Sequence, residues 1–527
     1  MAYGPVFKAE YTNWDDQLYT YENHSVQSLS AANLKIIFGS FRMSNYHPLT
    51  GLSIAVENSV FGERAVVHHT VNLILHSLNA ALVFAFLSLF SARKRLAFAA
   101  ALVWALHPAN VESVAWIAER KNLLYSLFYI PALIAYWRSL ENGNKKFYWA
   151  ALGLFMLALG AKAAAVTLPL ALLLLEIYRG RNTFLQILRR TSPFFAAAGI
   201  FTAIAVIAQS SSGRILPAMA PWLFSFYILK TLSPFHLSAV YPYREMLGIF
   251  GAKPLLYALP ALGFVPAFAV VCKKNRRAAW GMAFFALHLL PFITLIPVGG
   301  IIAADRYLYL PAIGLIFALT ELGGVIADTG PAARRICAAI AACICLASAA
   351  ATFERAKVWT SSFTLWTDTL EKFPANETAA INMADAYLKH DDPRKAAAYY
   401  AYLLKLDGGN SEALYNLGTL YGMAGRYKEA EDLLKRAIRL KPENCMAWNN
   451  LGMAYQKHGR QKEAQKAFKM ATAAAPSYAP AYSNLAETEA ALGDCRSARA
   501  HYLQALSLGL VPGAGKKKYF DDCMMKT

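Results

Sequence analysis

Apolar residues form long runs over the first two thirds of the chain, whereas over the last third they recur at helical spacing between polar residues. A helix needs roughly 17–25 apolar residues to cross the hydrocarbon core of a bilayer. About ten runs approach this length, which predicts a polytopic helical membrane domain. They lie near residues 66–90, 96–107, 122–138, 147–161, 163–178, 192–208, 254–272, 279–297, 306–327 and 335–352.

The main change of composition falls after Thr352, where the chain becomes polar, charged and rich in alanine. We therefore predict an all-α protein in which a transmembrane helical domain is followed by a soluble helical domain. The predicted domains are an outer segment with an acidic pair (1–64), the membrane domain (65–352), a repeat domain (353–512) and a tail (513–527).

The net charge of +19 resides mostly in short loops between the apolar runs. No basic face with interleaved aromatic residues accompanies it, so we predict no nucleic-acid partner. Basic loops of a membrane protein face the cytoplasm. The loops in question are 91–95, 138–146, 179–190, 273–277 and 334–335.

If successive apolar runs cross the membrane in alternating directions, the other connections lie on the opposite face from these loops. Residues 1–65, 107–121, the turn at Lys162, the loop 298–306 and the repeats would then be extracytoplasmic, as in a bacterial inner-membrane protein. Alternation requires Pro217–Phe235 to be a re-entrant or interfacial helix pair. Because residues 1–64 contain no apolar run, we also expect a transmembrane helix upstream of them.

The last third contains a sequence repeat with a 34-residue period. Leu417-Gly418, Tyr421, Gly425 and Ala430 recur as Leu451-Gly452, Tyr455, Gly459 and Ala464. This is the tetratricopeptide spacing, and weaker copies on both sides predict about four repeats, preceded by a half repeat at Trp366–Pro374. Such arrays bind polypeptides in a concave groove. Four asparagines on the first helices suit an acceptor groove or, alternatively, cap or bridge helices: Asn416, Asn449, Asn450 and Asn484.

The segment 107–121 carries four charged residues and a histidine between two apolar runs. At membrane depth, charged groups are costly unless they serve a wet site. Carboxylates with Arg and Lys suit glycosyl transfer from a lipid phosphate. One carboxylate would accept the proton of a hydroxyl as general base, and the cations would stabilise the departing phosphate. Alternatively, Arg120 and Lys121 have only a structural role and anchor the next helix at the membrane surface.

An ordered series of motifs resembles the transmembrane and tetratricopeptide-repeat O-mannosyltransferases and their bacterial relatives. The series is Asn-Trp-Asp-Asp (13–16), Tyr-His-Pro-Leu-Thr (46–50), His-His-x-Val-Asn-Leu-x-Leu-His (68–76), the segment 107–121, Val-Thr-Leu-Pro (166–169) and Ala-Asp-Arg-Tyr-x-Tyr-Leu-Pro (304–311), followed by the repeats.

The resemblance implies a C-type glycosyltransferase fold, a polyprenyl-phosphate-linked sugar donor, typically mannose, and Ser or Thr of proteins as acceptor. It places Asp15 or Asp16 as general base, with Glu112 or Glu119 in support. Donor phosphate would be held by cations, and three further motif residues would lie near the site. The cations are Arg120, Lys121, Lys162 and Arg306; the motif residues are His47, His107 and Asp305.

Three alternatives remain open at this stage. The chain could be a non-catalytic membrane-anchored scaffold whose repeats recruit proteins, or an enzyme whose acceptor is a glycan or a lipid. Lys162 could merely extend to the headgroups. Acidic pairs bind Mg²⁺ or Mn²⁺ through one or two carboxylates but also act without a metal, and we predict no histidine metal site.

Overall fold

The computed structural model describes residues 2–43, 45–91, 93–208, 219–243, 246, 248, 254–295 and 302–511. Within these ranges the chain forms helices and turns with no β-strand, so the all-α prediction is confirmed. The chain divides into two compact units, Met1–Asn376 and Glu377–Thr527. The tail 513–527 lies outside the described residues.

The first unit contains a helix at each of the ten predicted apolar runs. Among the described residues, five helices are long and apolar enough to cross a membrane, which makes the chain an integral membrane protein: Ala65–Leu87, Ile117–Asn142, Phe184–Ala208, Pro254–Lys274 and Pro331–Val358. The remaining runs form helices of 12 to 17 residues: Lys94–Ala105, Lys145–Ala161, Leu168–Arg179, Arg276–Leu290 and Pro311–Ala327.

The prediction of about ten full spans is therefore not confirmed in the described part of the chain. One cause is visible at run 163–178, where a 3₁₀ turn over Ala163–Thr167 takes up the first residues before the α-helix begins at Leu168. Between Pro217 and Phe235 the described residues form one helix, Ala220–Leu232, instead of a pair. Of the predicted loop 298–306, only residues 302–306 are described.

Two short helices approach closely through glycines. A Cβ atom on Gly281 would lie 2.5 Å from the carbonyl oxygen of Gly314, and one on Gly314 would lie 2.4 Å from that of Gly281. Helices that cross at small residues bring their backbones together. This contact fixes Pro311–Ala327 against Arg276–Leu290, and with it the Asp305–Leu308 turn that precedes Pro311.

Residues 2–64 fold into short helices packed on the membrane helices. The α-helices are Asp16–Tyr19, Ala31–Gly39 and Pro48–Phe61, and 3₁₀ turns cover Gly4–Lys8 and His24–Val26. The helix Ser362–Lys372, which the sequence places in the repeat domain as a half repeat, belongs to this first unit.

The second unit consists of four helix pairs, as the 34-residue period predicts. The pairs are Glu377–Lys389 with Pro393–Leu406, Ser411–Met423 with Tyr427–Leu440, Cys445–Lys457 with Gln461–Ala474, and Ala479–Ala491 with Cys495–Ser507. Gly425, Gly459 and Gly493 turn the chain within the last three pairs with positive φ. Asp391 occupies the equivalent position in the first pair, with φ of 56°.

Candidate active site

The acidic pair lies in a loop that is fastened to the segment 107–121. Asp16 is fully buried, and its carboxylate accepts hydrogen bonds from Thr12 N (2.9 Å), Thr12 Oγ1 (2.8 Å) and Ala118 N (3.0 Å). Burial raises the pKa of Asp16 to about 7, although the donated hydrogen bonds favour the ionised form. Since both its oxygens are occupied and inaccessible, Asp16 positions the loop.

Tryptophans complete the attachment of this loop. Trp116 Nε1 donates to the carbonyl oxygen of Trp14, and the two rings stack with centroids 5.8 Å apart. Trp116 also stacks on Trp359 at 5.9 Å. Trp366 Nε1 donates to Asn13 Oδ1 at 2.6 Å. Because offset stacking and buried N–H bonds both restrict ring position, the loop is held from two sides.

Asp15 differs from its neighbour in exposure, in backbone conformation and in the hydrogen bonding of its carboxylate. It is partly exposed and takes the left-handed conformation, with φ of 69°. Within the described chain no donor bonds its carboxylate. Burial raises its pKa, while Lys121 and then Arg306 oppose the rise. A strained residue with free carboxylate oxygens and a raised pKa is suited to act as a general base.

Three cations surround the carboxylate of Glu119. Lys121 Nζ and Lys162 Nζ each lie 3.1 Å from it, and Arg306 Nε lies 3.4 Å away. Lys162 Nζ also donates to Asn122 Oδ1. Glu119 is 2% exposed, whereas the two lysine side chains are 16% and 15% exposed. The lysines are therefore the members of this cluster that can meet a ligand.

Glu112 holds Arg306 in position through two hydrogen bonds. Its Oε2 accepts from Arg306 N at 2.9 Å, and its Oε1 accepts from the Arg306 guanidinium. Both residues are buried. A carboxylate with both oxygens bound to one arginine cannot also accept a substrate proton, so Glu112 is a positioning residue.

Aromatic rings line the same cluster, and sequence reasoning did not select them. Lys121 Nζ lies 5.1 Å from the centre of the Tyr19 ring, and Arg306 lies 5.2 Å from that of Trp116 and 5.1 Å from that of Tyr307. His47 stacks on Tyr19 at 5.4 Å. The available signal was that Trp116 and Tyr307 each lie within a quoted motif, next to or near the charged residues.

His47 thus lies beside the Glu119 cluster, where its ring stacks on Tyr19. Burial lowers its pKa to about 3, so the imidazole is neutral at physiological pH. Its Nε2 is buried and makes no hydrogen bond in the described part of the protein.

Arg120 does not join this site, which corrects the prediction that it holds donor phosphate. It is 0% exposed and pairs with Glu57. Its remaining donors bond Asn72 Oδ1 at 2.8 Å and the carbonyl oxygen of His68 at 2.8 Å. Because Arg120 begins a helix, it points to a different side from Lys121, and its donors are used within a closed polar cluster.

His107 and Asp305 also face away from the Glu119 cluster. His107 caps a 3₁₀ turn by accepting from Ala109 N, and its Nε2 lies 3.1 Å from the carbonyl oxygen of Thr231. Asp305 accepts from the Tyr241 hydroxyl at 2.7 Å. Burial lowers the pKa of His107 to about 4 and raises that of Asp305. Both residues fix the positions of motifs that the site uses.

Three of the four asparagines of the repeats bridge helices, which is one of the alternatives that the sequence left open. Asn484 Nδ2 donates to Asn449 Oδ1 at 2.8 Å, and Asn450 Nδ2 donates to Thr419 Oγ1 at 2.8 Å. These bonds connect the first helices of successive repeats. Asn416 is partly buried on the first helix of its repeat.

The donor set of the acidic pair does not fit a resident Mg²⁺ or Mn²⁺ ion, which requires several free oxygen ligands. The oxygens of Asp16 accept from N–H and O–H donors, and Glu119 is enclosed by cations. Only Asp15 offers free carboxylate oxygens. Within the described residues no group of three or more His, Cys, Asp or Glu side chains is placed to hold a metal.

Comparisons with known proteins agree with both parts of the fold. Tetratricopeptide-repeat family models match residues 381–445 and 433–466. The human protein O-mannosyl-transferase TMTC3 is 22% identical, with 76% of this chain and 48% of the relative covered. Human TMTC1 is 24% identical, with 71% of this chain and 49% of the relative covered. The Caenorhabditis elegans protein O-mannosyl-transferase F38B6.6 is 27% identical, with 69% of this chain and 54% of the relative covered.

Among solved structures, a crystal structure of MamA is 24% identical over 27% of this chain and 84% of its own, with a TM-score of 0.26. The chain spans about half the length of the curated relatives it matches. It is thus an integral membrane protein with a tetratricopeptide-repeat domain. More specifically, the chain is similar to the TMTC O-mannosyltransferases, at 22–27% identity over 69–76% of its length.

Proposed function

We propose that this protein is a membrane glycosyltransferase that moves a sugar, typically mannose, from a polyprenyl phosphate to Ser or Thr hydroxyls of proteins on the extracytoplasmic face. The names of its relatives support the reaction class. The observation that carries the proposal is the position of Asp15, a strained carboxylate with free oxygens, within the electrostatic influence of Lys121 and Arg306.

In the proposed reaction, the Asp15 carboxylate takes the proton of the acceptor hydroxyl. The hydroxyl oxygen attacks the anomeric carbon, and the bond from that carbon to the phosphate oxygen breaks. Attack from the side opposite the leaving group inverts the anomeric configuration. The raised pKa of Asp15 strengthens it as a base at neutral pH, because proton transfer is most effective when the pKa of the base approaches the working pH.

The leaving polyprenyl phosphate keeps the bonding electron pair and gains negative charge. Lys121 and Lys162 are placed to stabilise it, since both are partly exposed. Glu119 and Glu112 hold the lysines and Arg306 in position before the donor arrives. Preorganised cations of this kind need no reorganisation during the reaction. The repeats would supply a surface for acceptor polypeptides.

The decisive experiment replaces Asp15 with asparagine. Asn is among the residues that tolerate positive φ, so Asp15→Asn removes the base without disturbing the loop. Asp391→Asn is the matched control, because Asp391 also has positive φ but lies in the repeat unit. The assay would use the purified protein in nanodiscs. It would measure the transfer of radiolabelled mannose from polyprenyl-phosphate mannose to added envelope proteins.

We expect Asp15→Asn to lower the transfer rate by about 100-fold or more, with unchanged membrane insertion and thermal unfolding. The control should transfer at the wild-type rate. Equal transfer by wild-type protein and Asp15→Asn would reject Asp15 as the base. Absence of transfer by the wild type with every sugar donor tested would favour a non-catalytic scaffold.

A further inference from the structure

A charged cavity lies at the other end of the membrane helices from the candidate active site. It has a volume of about 380 Å³, and its chemically distinctive lining residues are Arg93, Tyr178, Lys274, Arg276, Arg277 and Glu321. Four cationic side chains and one carboxylate thus line the cavity, and one of the cations, Arg93, is paired with Asp328 outside the lining. None of these residues contributes to the candidate active site.

The path of the chain places this cavity on the opposite face of the membrane unit. Pro311–Ala327 starts just after Arg306 and reaches the cavity at Gly324. Its 17 residues correspond to about 25 Å of helix. Leu168–Arg179 likewise follows the Lys162 turn and ends beside the cavity at Tyr178.

The cations of the cavity are only partly satisfied by the protein. Arg276 donates to the carbonyl oxygen of Ile177 at 3.2 Å and lies 5.3 Å from the centre of the Tyr178 ring. Arg277 is 3.9 Å from Glu321, at the outer limit of an ion pair. Lys274 is exposed and has no ion-pair partner in the described part of the chain.

A simpler explanation is that these cations only complement the carbonyl ends of helices or follow the charge bias of membrane loops. It accounts for Arg93, which donates to the carbonyl oxygen of Gly324 at 3.0 Å and forms an ion pair with Asp328. It also accounts for Lys274, the last residue of Pro254–Lys274. It does not account for Arg276 and Arg277, which begin the next helix, where the helix dipole disfavours a cation, and which line the same cavity. The N-terminus of Arg276–Leu290 also lies at the cavity, and its partial positive charge adds to the positive electrostatic potential there.

We propose that this cavity binds the phosphate headgroup of an anionic membrane lipid. Basic pockets between the ends of transmembrane helices suit such headgroups. The cavity edge is also apolar: Val325 in its lining is 56% exposed, and Ile177 beside Tyr178 is 66% exposed. Cations with exposed apolar side chains next to them match a lipid, which carries acyl chains, better than they match free phosphate.

The test compares phosphatidylglycerol with phosphatidylcholine and with inorganic phosphate as ligands of the purified full chain. Native mass spectrometry counts retained lipids, and thermal unfolding reports stabilisation. The variant is Lys274→Gln combined with Arg276→Gln. The control is Lys145→Gln combined with Lys146→Gln, which removes two exposed cations from the start of Lys145–Ala161, a helix that ends at the Lys162 turn.

We expect the wild type to retain phosphatidylglycerol in preference to phosphatidylcholine. The cavity variant should bind it at least 10-fold more weakly, and the control should bind as the wild type does. Glu321→Gln should tighten binding several-fold, because it removes the one carboxylate while an amide can still accept from Ser91 Oγ. This gain cannot result from misfolding.

Equal weakening in the cavity and control variants would overturn the proposal, because it would indicate general surface charge. Unchanged retention in the cavity variant would also overturn it. Equal stabilisation by millimolar inorganic phosphate, with no lipid retained, would assign the cavity to a free anion and reject the lipid.

Discussion

The Asp16 carboxylate accepts a hydrogen bond of 3.0 Å from the backbone N–H of Ala118. This bond joins the loop that carries the acidic pair to the segment that carries Glu119 and Lys121. It also separates the tasks of two adjacent aspartates. Asp16 fixes the loop, and Asp15, next to it in the left-handed conformation, is left with free oxygens.

Replacing Asp16 with asparagine should destabilise the protein. An amide has one acceptor oxygen, so it cannot accept from both Thr12 and Ala118, and a buried donor is left without a partner. The cost of such a group is about 1–3 kcal/mol. Thermal unfolding in nanodiscs should therefore show a lower midpoint for Asp16→Asn than for Asp15→Asn. Equal midpoints would contradict the assignment of Asp16 as the anchor.

The neighbours Arg120 and Lys121 should respond differently to loss of charge. Arg120→Gln breaks a buried ion pair with Glu57, which typically costs about 3–5 kcal/mol. Lys121→Gln should leave stability near that of the wild type but reduce kcat/KM for the lipid donor by about 100-fold. Unfolding curves and donor titrations on the two variants check this. Lys35→Gln, at an exposed position outside the site, serves as the control.

The pH profile of sugar transfer should be bell-shaped. Asp15 must be ionised to accept a proton, and burial raises its pKa above the ordinary value of 3.8, so the rate should fall as pH drops through that raised pKa. Lys162 must be protonated to hold phosphate, and burial lowers its pKa to about 8. The rate should therefore also fall above about pH 8.

Arginine in place of Lys162 should move the alkaline limb of this profile to higher pH, because a guanidinium stays protonated up to about pH 12. Initial rates from pH 4 to about pH 10 would show the shift. An alkaline limb that stays in place in Lys162→Arg would mean that another group causes it.

The turn residues of the repeats give a prediction that is independent of catalysis. Gly425→Ala places a Cβ at φ of 78°, which should destabilise the repeat unit by about 1 kcal/mol. Asp391→Gly relieves the same conformation in the first repeat and should be neutral or stabilising. Urea unfolding of the full chain, followed through the repeat tryptophan Trp448, measures both. Destabilisation by Asp391→Gly would contradict the equivalence of the two turns.

Sequence periodicity was sufficient for the repeats and for the positions of the membrane helices. The 34-residue spacing defines the four helix pairs because the same small and aromatic residues pack in each repeat. The number of full spans could not be predicted as well. Apolar content alone does not distinguish a helix of 12 residues, such as Lys94–Ala105, from one that crosses the membrane.

The candidate site was predicted in part. Sequence motifs identified Asp15, Glu119, Lys121, Lys162 and Arg306, which the fold brings together. They could not distinguish Asp15 from Asp16 or Lys121 from Arg120, since adjacent residues of the same chemistry differ only in the direction of their side chains. The aromatic residues Tyr19, Trp116 and Tyr307 were missed because their contribution depends on contacts between distant segments.

The sequence by itself thus determined an all-α membrane protein with tetratricopeptide repeats, because hydrophobic length and periodicity are local properties of the chain. The tertiary structure alone decided which charges are satisfied and which are free. Asp16, Glu112 and Arg120 are bound by partners from other parts of the chain, so their charged groups are not free to react. Arg306, for example, lies 194 residues from its partner Glu112. Such pairings depend on the packing of helices, and no short motif encodes them.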